Sequence, residues 1–286
     1  MNRTILMLAM MMGTCATAVA QDDGTAQDRS DAAVYQKVET PQRTAPAYPA
    51  LREADVIYAK RIERVIDSRE KKNQIMNWPK SALNKILYNL VTTGEPTETG
   101  KLKAYATDSM DQALTVKKVK EVGASCETVQ IQRPGSDDIY DLIDTTICTQ
   151  IDPSQIKRWQ ITEEWIFDKQ RSMFFPRIIA IAPLYHPMLN GVALDERPMF
   201  YINYAEVKQF LANKEVFNRG DDAMRLTYFD FFEQRMFSSY ITKEENDKDF
   251  AIKDFEEFKN NPTGALYDSE RIKNDMFNWE HDLWEY

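Results

Sequence analysis

Residues 159–183 read WQITEEWIFDKQRSMFFPRIIAIAP, and this stretch decides the fold class. From Trp159 to Phe167 large apolar side chains recur at every second position except at Glu163, which is typical of a β-strand. Residues 168–172 are polar and predict a turn, and residues 174–182 form a dense run of strand-forming residues closed by Pro183. We therefore predict a β-hairpin at the centre of the chain.

Two helices are predicted before this hairpin. Residues 53–73 have apolar side chains at helical spacing and charged side chains on the other face. The apolar positions are Val56, Ala59, Ile62, Val65 and Ile66. A second helix follows, with Pro79 at its first position and Gly94 after its end. Weaker patterns predict strands over residues 126–131 and 139–147.

Beyond the hairpin, residues 199–204 predict a strand and residues 205–212 a short helix. Thr227 and Asp230 have the spacing of a capping box, so a helix is expected to begin there. Ser269 is expected to cap a last helix with one apolar seam. That seam consists of Ile272, Met276, Trp279 and Leu283.

The order of elements predicts an α+β fold, with N-terminal helices, a central, mostly antiparallel sheet and C-terminal helices. Residues 1–20 resemble a signal peptide, with a basic start, an apolar run and a small-residue cleavage site at 18–20. A short N-terminal anchor is the alternative. Residues 21–51 are polar and predict a flexible arm. Residues 52–286 are expected to form a single α+β domain.

Composition excludes several classes of protein. The 286-residue chain has a net charge of −9, whereas a nucleic-acid binder needs an excess of Lys and Arg on its surface. With only 2 His and no recognisable metal or nucleotide motif, the sequence indicates no metal site, no cofactor and no catalytic residues. In an exported protein, Cys126 and Cys148 are candidates for a disulfide worth about 3 kcal/mol, and two unpaired buried thiols are the alternative.

Glu163 and Glu164 lie on opposite faces of the predicted strand, so they do not form an acid–base pair for one site. If Glu163 faces inward with Trp159 and Trp165, it needs a cationic partner, because an unpaired buried carboxylate is costly. We expect Arg177 on the paired strand to be that partner. The arrangement favours an ion pair that fixes the hairpin over a catalytic carboxylate.

Charge is distributed unevenly along the chain. Residues 52–72 carry seven basic and five acidic groups, whereas residues 243–286 carry six basic and thirteen acidic groups. A solvated surface explains this asymmetry most simply. The sharper hypothesis is a head-to-tail contact between unlike surfaces of identical chains, which closes rings when it is repeated with rotation.

Several blocks of the chain resemble the GldN/PorN family of the type IX secretion and gliding-motility machinery. In the predicted first helix the block is Arg61, Arg64, Asp67, Arg69, Glu70, Lys71 and Asn73. In the hairpin it is Glu163, Glu164, Trp165, Phe167, Asp168 and Lys169, followed by residues 177–183. A later block includes Phe237, Ser238, Ser239, Tyr240, Ile241, Lys243, Glu244 and Asn246. Residues 201–204, 216–218 and 284–286 also match, so the resemblance spans about 52–286.

This resemblance implies a non-enzymatic, periplasmic component of a ring complex, associated with the outer membrane through a GldK/PorK-like lipoprotein. It also implies contact with a GldM/PorM-like motor protein and self-association in the ring. We expect partner contacts at the charged face of residues 61–73, at Trp165–Lys169 and in the segment 237–246, including Glu164, Ser239, Tyr240 and Lys243. A periplasmic enzyme or small-ligand binder, and a secreted soluble factor, are the rival hypotheses.

Overall fold

A computed structural model describes residues 43–132, 142–189, 192–220 and 224–282. These residues form an α+β fold in which one large, mostly antiparallel sheet packs against helices, as predicted. The predicted signal peptide, the arm up to residue 42 and residues 283–286 lie outside the described ranges.

The helices are short except for the last. They are α1 (Leu83–Thr92), α2 (Val116–Glu121), α3 (Tyr204–Leu211), α4 (Tyr228–Glu233) and α5 (Pro262–Asp282). The longer strands are β1 (Val56–Asp67), β4 (Ser125–Gln132), β5 (Leu142–Thr149), β6 (Arg158–Asp168), β7 (Met173–Tyr185) and β14 (Tyr240–Glu244). The short strands are β2 (Ala104–Tyr105), β3 (Ala113–Leu114), β8 (Met188–Leu189), β9 (Val192–Ala193), β10 (Arg197–Pro198), β11 (Tyr201–Asn203), β12 (Glu215–Val216) and β13 (Leu226–Thr227).

The main sheet has the order β14-β1-β6-β7-β11-β2-β3, with β10 paired to β7. The predicted hairpin is its centre: β6 and β7 pair from Arg158 opposite Leu184 to Asp168 opposite Met173. The register shifts between Thr162 and Glu163, which marks a β-bulge. Two-stranded pairs β4–β5, β8–β9 and β12–β13 complete the strands.

The prediction of a helix over residues 53–73 is wrong, because Val56–Asp67 is strand β1. This strand pairs with β6 along its length and with β14 over residues 62–65. Val65 and Ile66 are both buried although they point to opposite faces. Both faces of β1 are buried over residues 64–66, and adjacent buried positions in a strand resemble the apolar spacing of a helix.

Other boundaries differ in detail. The predicted capping box at Thr227 and Asp230 is present at the start of α4. Pro79 precedes α1, which begins at Leu83. Ser269 lies inside α5 rather than at its start, and its Oγ accepts a hydrogen bond from the Ile241 backbone N–H at 2.8 Å. Ser269 thus joins α5 to β14 instead of capping a helix.

Two groups of buried side chains hold the fold together. The larger lies between the central sheet and helices α1, α3 and α4. Its fully buried members include Ile66, Leu87, Ile161, Tyr204 and Phe231. The smaller lies between α5 and the β14–β1 edge and contains Ile62, Ile241, Ile252, Ile272 and Met276. Two seam residues of the predicted last helix, Ile272 and Met276, therefore belong to the core.

We name residues 43–52 the strap. They comprise the described end of the predicted arm, residues 43–51, and the next residue, Arg52. Arg43 donates to both carboxylate oxygens of Asp230 at 2.7 and 3.1 Å. Tyr48 donates to Glu233 at 2.6 Å and lies between the cations of Arg177 and Lys208. Tyr48 also packs against the larger core, and polar contacts supply the rest of the attachment of the strap to α3, α4 and β7.

Candidate interaction surface

The three sequence segments expected to make partner contacts meet on adjacent strands. They lie on β14, β1 and β6, which are neighbours at one side of the sheet. Arg61 pairs with Glu164 across β1 and β6, and Val65 pairs with Tyr240 across β1 and β14. Segments separated by up to about 180 positions in the sequence therefore contribute to one region of the surface.

At the centre of this region a carboxylate is held by two arginines. Arg64 Nε donates to Glu163 Oε2 at 3.1 Å, and Arg235 Nη1 donates to Glu163 Oε1 at 2.8 Å. The indole N–H of Trp165 donates to the same Oε2 at 3.1 Å. Glu163 is fully buried, which is the condition under which it needs a cationic partner. The arrangement gives the buried carboxylate several charged or polar donors, as its burial requires.

The prediction that Arg177 is the partner of Glu163 is wrong. The β-bulge at Thr162 and Glu163 places Glu163 opposite Ile178 and Glu164 opposite Arg177. Arg177 instead donates to the Pro49 carbonyl of the strap at 2.7 Å. The sequence did not predict Arg64 as a partner, because residues 53–73 were expected to form a helix. As a residue of strand β1, Arg64 lies on the same face of the sheet as Glu163.

Asn73 has a structural role that its sequence position did not reveal. Its Nδ2 donates to the carbonyls of Asp67 and Ser238 at 2.9 and 2.8 Å, and its Oδ1 accepts from the Ser238 N–H at 2.8 Å. The side chain is fully buried. It therefore ties the turn after β1 to the segment that leads into β14.

The predicted contact residues divide by exposure. Fully or nearly buried side chains serve the fold of the monomer; these are Arg64, Asn73, Phe167 and Asp168. Partly buried side chains are Asp67, Glu164, Trp165, Ser239, Tyr240 and Lys243. Exposed side chains, which are available to a partner, are Arg61, Arg69, Glu70, Lys71 and Lys169.

Besides Trp165, at least two of the partly buried residues, Lys243 and Asp67, are already engaged within the chain. Lys243 Nζ lies 2.5 Å from Asp249 and 3.5 Å from Glu63, which also accepts from Gln160 at 2.7 Å. Burial raises the pKa of Glu63, and Lys243 opposes that shift. Asp67 accepts from the guanidinium of Arg69, which lowers the pKa of Asp67. These ion pairs give this side of the sheet a fixed pattern of charge.

Aromatic rings cover the hairpin tip, where β6 ends and β7 begins. Trp279 of α5 packs on Tyr58, Phe167 and Phe174, with ring centroids 4.4, 5.5 and 5.8 Å away. Trp165 packs on Phe174 at 5.1 Å. Helix α5 is thus fastened to the hairpin at its C-terminal end and to β14 through Ser269.

Chemistry-bearing groups are sparse in the described residues. No three His, Cys, Asp or Glu side chains within those ranges are grouped so as to hold a metal ion. The backbone register places Cys126 opposite Cys148 in β4–β5, but their side chains lie outside what the structure describes. The disulfide therefore stays a prediction. None of the described helices is long and apolar enough to cross a bilayer.

The chain matches a protein-family model over residues 51–285, which is nearly the whole length of the described fold. This match places the chain in the class of gliding-motility-associated proteins. The matching model is described as gliding motility associated protein GldN, and the chain belongs to this GldN family, which confirms the resemblance found in the sequence. No curated protein matches the chain. Membership makes it a component of the gliding-motility and type IX secretion machinery.

Proposed function

We propose that this chain is a structural subunit of the periplasmic ring of the type IX secretion and gliding machinery. The observation that carries the proposal is the GldN family match over residues 51–285, which covers the sheet and all five helices. The proposal includes no catalytic step. Its physical basis is a surface of fixed charges and packed aromatic rings rather than a cluster of reactive groups.

In this proposal, a GldK/PorK-like lipoprotein holds the chain at the outer membrane, and a GldM/PorM-like motor protein contacts it from the periplasm. The signal peptide predicted at residues 1–20 would deliver the chain to that compartment. The described helices offer no span of their own. In this proposal the lipid anchor of the lipoprotein, together with its protein contact to the chain, holds the chain at the membrane surface.

The proposed partner surface is the exposed part of the β14–β1–β6 region. Arg61 lies near the middle of β1, Lys71 beyond its end and Lys169 at the hairpin turn. These cations are exposed, so a partner reaches them without unfolding the sheet. Charges at such positions set the orientation and specificity of docking more than its total affinity.

The test is co-purification with the lipoprotein partner from detergent-solubilised envelope. The triple variant Arg61→Glu, Lys71→Glu and Lys169→Glu is expected to retain at least tenfold less lipoprotein than the wild type. The matched control is Lys80→Glu, Lys101→Glu and Lys259→Glu, which makes the same change of charge at exposed positions elsewhere. Equal recovery of lipoprotein with both triple variants would contradict the proposed surface. If the wild-type chain itself recovers no lipoprotein, the proposed function is contradicted.

A further inference from the structure

An open groove of about 930 Å³ lies at the end of the sheet opposite the aromatic hairpin tip. It is formed where β6 begins and β7 ends, beside α2 and the base of the β4–β5 hairpin. Its floor is apolar and consists of Leu114, Val122, Ile151, Leu184, Tyr185 and Met188. At Gly123 a Cβ would meet Met199, Ile151 and Tyr185 at 3.3–3.5 Å, so a larger residue there would crowd the floor.

The rim of the groove is basic in a chain that is acidic overall. Five cationic side chains but only two carboxylates line the groove. The cations are Arg69, Lys118, Lys157, Arg158 and Arg197, and the carboxylates are Glu121 and Glu196. Arg158 is matched by Glu196 at 2.5 Å. Among the described residues, no carboxylate lies within ion-pair distance of Lys118, Lys157 or Arg197. The groove therefore fits a peptide that combines apolar side chains with negative charge.

A segment of that chemistry exists in the chain itself. Residues 280–286 read EHDLWEY, with three carboxylates, at Glu280, Asp282 and Glu285, and three large apolar or aromatic side chains. We propose that this acidic, aromatic segment of one copy docks in the basic groove of a second copy. The aromatic side chains would occupy the apolar floor, and the carboxylates would face the cations of the rim.

The geometry requires a second copy because the segment does not reach the groove of its own chain. Within helix α5, Ser269 lies beside Ile241, whose strand neighbours lead across the sheet to Ile161 of β6. Ten residues further along α5, Trp279 packs on Phe167, near the hairpin tip. It therefore points away from the groove. From Phe167 to Arg158, nine residues of strand span about 30 Å. From Trp279, one helical turn and four extended residues span at most about 19 Å.

The groove and the C-terminal end of α5, from which the segment continues, lie at opposite ends of the sheet, so the proposed contact is head-to-tail between unlike surfaces. A heterologous contact of this kind leaves a free groove at one end of each pair and a free segment at the other. Repetition produces a ring when the rotation closes. The inference rests on the proposed function in this respect, since it names the contact by which the ring subunits would associate with one another.

The test uses two variants of the mature chain that are each defective at one end. The groove variant is Lys118→Glu with Lys157→Glu, and the segment variant is Leu283→Ala with Trp284→Ala. Analytical ultracentrifugation is expected to show at least a tenfold weaker self-association for each variant alone. An equimolar mixture is expected to form a 1:1 dimer and nothing larger, because only one intact groove and one intact segment can meet.

The control variant Lys80→Glu with Lys259→Glu should associate as the wild type does. Circular dichroism and the urea midpoint check that each variant is folded. A peptide of residues 276–286 should compete with wild-type self-association, which tests the groove without any substitution. A mixture that stays monomeric, or a wild type that stays monomeric at every concentration, would overturn the inference. If lipoprotein co-purification persists in that case, the proposed function stands and only this contact is wrong.

Discussion

The Nε–H of Arg64 donates to Glu163 Oε2 at 3.1 Å between strands β1 and β6, with both side chains almost completely buried. Arg235 reaches the same carboxylate from the segment after α4. The guanidinium groups of Arg64 and Arg235 also lie 5.6 and 5.4 Å from the centre of the Trp165 ring. One carboxylate thus joins three distant parts of the sequence and balances two buried or partly buried cations.

Replacing Glu163 should therefore destabilise the fold strongly. The substitution Glu163→Gln leaves Arg64 and Arg235 side by side without a counter-charge, and breaking a buried pair in this way costs about 3–5 kcal/mol. Urea unfolding measures the loss. The matched control is Glu164→Gln, at the half-buried next position, where a change within about 0.5 kcal/mol is expected. Equal losses for both variants would show that the pair contributes nothing specific.

Asn73→Ala should destabilise the turn after β1. The substitution removes hydrogen bonds to three backbone groups, at Asp67 O, Ser238 O and Ser238 N. Leaving backbone groups without partners at a buried site costs about 2–3 kcal/mol in total. Gln74→Ala, at the exposed neighbouring position, should change the unfolding free energy by less than about 0.5 kcal/mol. A near-neutral Asn73→Ala would mean that water replaces the side chain.

The strap should make stability depend on pH through Asp230. Burial raises the pKa of this carboxyl, but hydrogen bonds from Thr227 and Arg43 outweigh burial, and the net shift is downward. A lowered pKa in the folded state means that Asp230 stabilises the fold fully above its unfolded value of about 3.9. The stabilisation is lost as the pH falls through the folded value.

The corresponding variant is Asp230→Asn, whose side-chain oxygen still accepts from Thr227. Urea midpoints should be lower than those of the wild type at pH 7, and the difference should shrink as the pH falls below about 4. Asp247→Asn, at an exposed position, should leave the pH profile unchanged. A difference between Asp230→Asn and wild type that stays constant down to low pH would contradict the role of the ionised carboxylate.

Trp279 should be the main attachment of α5 to the hairpin tip. Its ring packs on three other aromatic rings, so Trp279→Ala should lower the unfolding free energy by about 2–3 kcal/mol. Phe277, two residues away on the same helix, is 65% exposed, and Phe277→Ala should cost less than about 1 kcal/mol. Calorimetry of both variants distinguishes the two positions. A larger loss at Phe277 would contradict the described packing of α5.

Much of the fold was predictable from local patterns. The alternation of apolar and polar side chains predicted the β6–β7 hairpin, and the spacing of Thr227 and Asp230 predicted the start of α4. The prediction of a helix for residues 53–73 was wrong because β1 is buried on both faces over residues 64–66, where it lies between β6 and β14, and local periodicity does not contain that information. The ion pair predicted with Arg177 failed for a related reason, since a one-residue bulge changes which side chains face each other.

The contact region was found only in part. Family blocks identified three segments, but their exposure depends on the sheet that brings them together, so buried Arg64 and Asn73 were grouped with exposed Arg61 and Lys71. The groove was not predicted, because its lining residues come from distant segments and form no motif. The uneven distribution of charge indicated the acidic C-terminal part of the chain, but it set that part against residues 52–72, which contribute only Arg69 to the groove.

The most direct test of the account is imaging of what the chain assembles into. The chain is purified with its GldK-like lipoprotein partner from detergent-solubilised envelope and viewed by negative-stain electron microscopy. The account predicts large circular particles that contain both proteins. Recovery of the folded chain as a monomer without the lipoprotein, under conditions that keep envelope complexes intact, would contradict it.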